Sequence, residues 1–200
     1  MDALVTGGAG FIGSHLVDAL VGRGDRVRVL DDLSTGRREN VNPGAELVEG
    51  SVADAGAVAR AVAGVEVVFH LGALGAVARS VADPRASNTA NVVGTLNVLT
   101  EARDAGARRI VFASSSSVYG GAEVVPTPES TPLRPRSPYA NTKLAGEWYV
   151  RMLANMLPGF RNKLAHGSAM LAPSGKRTLA LCCDLINQLF RLAHTKGDGL

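Results

Sequence analysis

Tyr139 and Lys143 stand four residues apart in SPYANTKLAGE, a spacing that puts a phenol and an ammonium on one face of a helix. An ammonium beside a phenol stabilises the phenolate and lowers the phenol pKa, which makes the tyrosine usable as a base near neutral pH. Tyrosine and lysine at this spacing also occur on ordinary solvated helices, so the pair acquires chemical meaning only from its neighbours. Ser115 supplies one. It follows the apolar run Ile110-Val111-Phe112-Ala113, and its hydroxyl can bond a substrate alcohol or the phenolate.

The opening segment MDALVTGGAGFIGSHLVDAL suggests what shares the site. Ala3-Leu4-Val5 reads as a buried strand, and Ile12, Leu16, Val17, Leu20 and Val21 recur at helical spacing. The glycines between them occupy a strand-to-helix turn. Gly8, Gly10 and Gly13 match G-x-G-x-x-G, while Gly7, Gly10 and Gly13 match the looser G-x-x-G-x-x-G. Either spacing gives a tight turn, a backbone that a pyrophosphate can approach, and close packing of helix on strand. The helix then aims its free N–H groups and positive dipole end at the phosphates. A glycine-rich turn without a ligand has the same composition, but here the context points to a dinucleotide. Val27-Arg28-Val29-Leu30 forms a second strand ending at Asp31, 18 positions after Gly13, where a carboxylate can accept both adenosine ribose hydroxyls and repel a 2′-phosphate. NAD is therefore expected over NADP, with Arg37 and Arg38 nearby keeping the second possibility open.

Those groups need a scaffold that brings strand ends together. Glu46–Glu49, Val65–Leu71 and Ile110–Ala113 read as further strands, and residues 53–63, 86–105 and 139–150 read as helices. Strands alternating with helices imply an α/β fold with a doubly wound parallel sheet, whose ligands lie across the carboxyl ends of its strands. Gly7, Asp31, Leu71 and Ser115 all fall at such ends. Residues 121–138 hold five of the nine prolines and read as a loop. After Trp148, expected to pack its helix on the sheet, no sixth strand is evident, and residues 179–193 form an apolar helix-like stretch. His70 reads as filling space in its strand.

A composition of 46% hydrophobic and 20% charged residues is that of an ordinary globular chain, and a net charge of +3 without basic blocks argues against a nucleic-acid partner. No apolar run is long enough for a membrane span, and the first strand begins almost at Met1, so a cytoplasmic location is expected. Cys182 and Cys183 are adjacent, which suits neither a disulfide framework nor a spaced zinc site.

The segments LVTGGAGFIGSHLV, VLDDLSTG, VVFHLGALGAVARSV, NTANVVGTLNVL, IVFASSSSVYG and SPYANTKLAGE together resemble the extended short-chain dehydrogenases/reductases, specifically the NAD-dependent nucleotide-sugar epimerases and dehydratases. The resemblance implies a Rossmann fold over residues 1–157, followed by an atypical helical tail over 158–200 in place of a truncated or absent substrate lobe. It implies that Ser115, Tyr139 and Lys143 are catalytic. It also implies that Gly7, Gly10, Phe11, Ile12 and Gly13 meet the pyrophosphate, that Asp31, Asp32, Ser34 and Gly36 surround the adenosine ribose, and that Ser51 and Val52 flank the adenine. Leu71, Gly72 and Ala73 would run along the cofactor, with Tyr139 and Lys143 at its nicotinamide end. Asn91 matches an asparagine of the family's active-site network, although a helix residue satisfying nearby backbone reads the same way.

Two further positions depart from the family pattern. Ser51 stands where an aspartate commonly reaches the adenine amine, and Gly75 where some galactose-type epimerases carry a lysine. The expected activity is NAD-dependent 4-epimerisation of a nucleotide sugar, most simply a UDP-sugar, through a transient 4-keto sugar, with a homodimer left open as the assembly. The alternatives are a noncatalytic NAD-binding or truncated family member, and a nucleotide-sugar dehydratase or decarboxylase. Dehydration requires an extra acid and base beside Ser115, where this chain has Ser116 and Ser117.

Overall fold

The computed structural model describes residues 1–121, 127–156 and 161–165. Strands β1 (Asp2–Thr6), β2 (Arg26–Asp31), β3 (Glu46–Glu49), β4 (Val67–His70), β5 (Arg109–Ala113) and β6 (Arg161–Ala165) alternate with helices. The helices are α1 (Phe11–Gly22), α2 (Ala55–Val62), the short α3 (Val77–Ala82) and α4 (Pro84–Asn88), α5 (Gly94–Asp104) and α6 (Pro138–Met156). The strands are all parallel, in the order β3-β2-β1-β4-β5-β6. This is the doubly wound order, and its direction of winding reverses between β1 and β4, where a crevice opens at the carboxyl edge.

Both faces of the sheet are covered, as the apolar strands require. Ala3 and Val5 of β1 join Leu16, Val17 and Leu20 of α1 and Val27 and Val29 of β2 on one face. Leu4 points the other way, into a larger cluster with Val58 and Val62 of α2, Val98 and Leu99 of α5, Ile110 and Phe112 of β5 and Val150 of α6. Period-two alternation thus divides one strand between two cores.

Two expectations need correction. A sixth strand exists: β6 pairs with β5 from Arg109↔Arg161 to Ala113↔Ala165. RNKLA carries no apolar run, so its pairing is set by the neighbouring strand and not by a local pattern. Trp148 does not pack on the sheet. It is 57% exposed, with the Arg151 guanidinium 5.3 Å from its ring centroid, because Glu147 and Val150 take the inward positions of α6. The expected helix at 179–193 and both cysteines lie outside the described residues. No helix among the described residues is long and apolar enough to cross a membrane.

His70 is wholly buried. The Thr95 hydroxyl donates to the Asn91 carbonyl at 2.5 Å, so towards His70, 3.0 Å away, it can only accept. Nε2 therefore carries the proton, and Nδ1 accepts from the Thr6 hydroxyl at 2.7 Å. Burial, aided by the charge of Lys143, lowers the His70 pKa to about 3. The unfolded chain binds this proton more readily than the folded one, so the contribution is complete above pH ~6.5 and is lost at about 1.4 kcal/mol per pH unit as pH falls towards the folded value. Denaturant titrations of the wild type and His70→Gln between these limits should differ in slope by one proton, and parallel curves would show that His70 does not titrate on unfolding.

Candidate active site

The crevice at the switch point is a cleft of about 610 Å³, lined from the glycine turn at one end to Tyr139 and Lys143 at the other. The turn is shaped by contacts that no side chain would permit. Gly7 is left-handed at φ 72°, and a Cβ there would lie 2.8 Å from the backbone of Gly72; a Cβ on Gly13 would lie 2.1 Å from the Gly7 carbonyl oxygen. These approaches close α1 onto β1 and bring the turn beside the segment after β4. Helix α1 begins with neither a side-chain cap nor an acid in its first turn. Its dipole and the free N–H groups of Phe11 and Ile12 therefore face the cleft, with the Gly10 N–H donating to the Gly7 carbonyl at 3.2 Å within the turn, an arrangement that fits a pyrophosphate.

Asp31 closes the same end. Its carboxylate accepts the N–H of Ala9 at 3.0 Å and that of Leu33 at 2.9 Å, joining the glycine turn to the end of β2. The second bond holds Leu33 in a left-handed conformation at φ 57°, one that a branched side chain disfavours. Asp32, Ser34, Ser51, Val52, Leu71, Gly72 and Ala73 also line the cleft. Ser51 Oγ accepts the Ala53 N–H at 3.2 Å. Arg38 pairs with Glu49, so this nearby cation already has an acid for a partner.

Gly36, Asn91 and Ser115 do not line the cleft. Gly36 packs against Ala9, whose Cβ would be 2.8 Å from a Cβ at that position. Asn91 stands behind the wall, in a single π-helical turn spanning Thr89–Val93. Its amide donates to the Leu74 carbonyl at 3.2 Å and to the Thr142 hydroxyl at 3.0 Å, and its oxygen accepts the Leu74 N–H at 2.7 Å. Thr142 in turn donates to the Tyr139 carbonyl at 2.8 Å. Asn91 thereby joins the segment after β4 to the first turn of α6.

That turn starts with Ser137 as cap, accepting the Ala140 N–H at 3.1 Å, and Pro138 as the first helical residue. Ser80 of α3 accepts the Tyr139 N–H at 3.0 Å, a contact across 59 residues with no local signal. The Ser115 hydroxyl oxygen accepts from the Ser117 N–H at 3.2 Å and the Ser117 hydroxyl at 2.8 Å. Its own proton remains for Tyr139. Burial raises the Tyr139 phenol above its ordinary value, and the Ser115 hydrogen bond opposes that rise.

Lys143 departs from the expected arrangement. Its ammonium donates to the Ala113 carbonyl at 2.9 Å and lies 5.1 Å from the centroid of the Phe112 ring; burial lowers its pKa to about 8. The influence that lowers the phenol pKa here is Ser115, not the lysine. Among the lining residues, sequence reasoning missed Thr35, Gly50, Leu74, Ala90 and Ser114. Ser114 alone carried a signal, being the first hydroxyl of the run after β5.

The model of the NAD dependent epimerase/dehydratase family matches residues 3–181. The chain is 47% identical over 163 residues to the UDP-glucose 4-epimerase of Mycolicibacterium smegmatis, covering 78% of this chain and 52% of that protein. Among solved structures, UDP-glucose 4-epimerase from Thermotoga maritima with UDP-glucose superposes with a TM-score of 0.78 at 39% identity, over 82% of this chain and 54% of that one. The Thermus thermophilus UDP-glucose 4-epimerase complex with NAD gives 0.76 at 38% identity, over 82% and 54%. The chain therefore belongs to the NAD dependent epimerase/dehydratase family, a family of enzymes whose cofactor is NAD. It spans about half the length of the relatives named here.

The hydrogen-bond arrangement at Tyr139 makes a direct expectation. Ser115→Ala should raise the Tyr139 phenol pKa by roughly 0.5 to 1, the effect of losing one donor to the phenolate. Near-ultraviolet phenolate absorbance, taken as a difference from Tyr139→Phe, measures it.

Proposed function

We propose that this chain binds NAD in the cleft and serves the 4-epimerisation of a nucleotide sugar, with a UDP-sugar as substrate. The observation that carries the reading is the convergence, in one cleft, of an uncapped helix end behind a glycine turn, the Asp31 carboxylate, and Tyr139 with Lys143, the Ser115 hydroxyl acting on the phenol from beside the cleft. Gly7, Gly10, Phe11, Ile12 and Gly13 would hold the pyrophosphate, Asp31 the adenosine ribose, and Lys143 the nicotinamide ribose. Bound NAD would supply reversible hydride acceptance, so the net redox change of the reaction is zero.

The chain's own residues handle the proton. Ser115 orients the sugar hydroxyl and donates to the phenolate, while Tyr139 Oη removes the hydroxyl proton as the carbonyl forms and returns it when the alcohol is restored. The ammonium of Lys143, drawn from the Ala113 carbonyl towards a ribose hydroxyl, would add positive charge near the phenolate. Epimerisation is favoured over dehydration because dehydration also needs a C5 proton removed. Ser116 and Ser117 are hydroxyls, and Ser117 already donates to Ser115 at 2.8 Å.

Calorimetry with NAD and NADP tests the cofactor assignment: NAD should bind tighter, and Asp31→Ala should weaken it by about tenfold or more, since a charged acceptor is lost. Equal or tighter NADP binding by the wild type would remove Asp31 from the ribose. Conversion of UDP-glucose to UDP-galactose, followed by product analysis, tests the chemistry. Tyr139→Phe should abolish it with NAD affinity retained, and full activity of that variant would end this mechanism.

A further inference from the structure

Outside the residues assigned above, Glu147 is a buried titratable group without a role. It is 1% exposed and sits on α6 four residues after Lys143, which itself follows Tyr139 by four, so the three share one face of the helix. All three engage consecutive residues at the end of β5. The Ser115 hydroxyl lowers the Tyr139 phenol against the effect of burial, Lys143 donates to the Ala113 carbonyl, and the Glu147 carboxylate accepts the Ser114 hydroxyl. Between them Gly146 lets α6 rest on Phe112, whose ring would be 2.5 Å from a Cβ there.

We infer that Glu147 is a positioning residue, whose carboxylate holds Ser114 and thereby keeps the end of β5 where Ser115 reaches Tyr139. The inference rests on the reading of Tyr139 as proton carrier. Ser114 and Ser115 are adjacent just after β5, so fixing Ser114 against α6 fixes the backbone from which the Ser115 hydroxyl is presented to Tyr139. Among the described side chains, the charged groups around Glu147 are on its own helix. Arg151 is 3.5 Å from Oε2, and Lys143, a turn earlier, is directed to Ala113; the facing strand contributes the uncharged Phe112 and Ser114. Burial disfavours the charge of this carboxylate, and the Ser114 hydroxyl and the Arg151 guanidinium favour it.

The sign of one shift separates positioning from charge. If the carboxylate acted on Tyr139 through space, removing it would ease phenol ionisation; if it positions Ser115, removing it loosens the Ser115 hydrogen bond and makes ionisation harder. Phenolate absorbance of the full chain, referenced to Tyr139→Phe, should therefore show the Tyr139 pKa raised by about 0.5 in Glu147→Leu, no further than in Ser115→Ala. Glu147→Gln, which keeps an acceptor for Ser114, should show no rise. Ser114→Ala should reproduce the rise, and it carries the test alone if Glu147→Leu does not fold. An unchanged or lowered Tyr139 pKa in Ser114→Ala, or in a folded Glu147→Leu, would overturn the inference. The titration needs no substrate, so a failure of the epimerase reading would show in turnover and leave this result standing.

Discussion

A directional chain of buried hydrogen bonds holds the two ends of the cleft in register. It runs from the Gly72 N–H to Thr6, from Thr6 to His70, from His70 through Thr95 to the Asn91 backbone, and from the Asn91 side chain through Thr142 to the Tyr139 carbonyl. Polar groups in a core are tolerated only when each has a partner, and an orphaned one costs about 1–3 kcal/mol. Because Thr95 is committed as a donor to Asn91, the tautomer of His70 is determined, and with it the direction of every bond back to Gly72. Strands β1 and β4, the π-helical turn and α6 can therefore shift only together. The turn at Thr89–Val93 is wider than an α-helical one, which places Asn91 where it reaches both Leu74 and Thr142.

The cleft is also organised by charge. Its phosphate-facing end is positive without any basic side chain in the first turn of α1, because uncapped peptide N–H groups provide the field. Asp31 and Asp32 both line the cleft beside it, and the Asp31 carboxylate is bound by two backbone N–H groups, so its orientation is set before any ligand arrives. At the far end the single ammonium of Lys143 is buried and held by a carbonyl. Preorganised dipoles and one well-held charge at each end suit a ligand that carries negative charge in its middle and hydroxyls on either side.

What could be read from the sequence was what depends on local spacing. The glycine turn, Asp31 and the Tyr139–Lys143 pair each occupy a single strand end or helix face, and the structure brings all of them to one cleft. The resemblance added Ser51, Val52 and the segment 71–73, all of which line it. What escaped depends on packing across long separations. Strand β6 has a polar sequence and is recruited by β5. Trp148 is turned outward by its inward neighbours on α6. The ammonium of Lys143 finds a carbonyl that no spacing rule brings near the helix. Ser80 and Ser114, ordinary serines in sequence, become a cap on α6 and an anchor for β5 only because the fold delivers Tyr139 and Glu147 to them.

The placement of the reactive residues suggests why one scaffold serves several sugars within a family of epimerases and dehydratases. Ser115, just after β5, and Tyr139 and Lys143 of α6 belong to elements pinned to the same sheet that bears the glycine turn, so the position of the phenol relative to the cleft is a property of this layer alone. Selection of one sugar over another requires contacts to groups that do not react, and those can change without disturbing the hydrogen bonds that orient the phenol. In this chain several of these positions are small: Gly75 and Ala90 line the cleft, and Ser116 and Ser117 follow Ser115. On the reading proposed above, a phenol with Lys143 as its charged neighbour on α6 suits a reaction in which the same proton leaves and returns, as inversion at a single carbinol carbon requires.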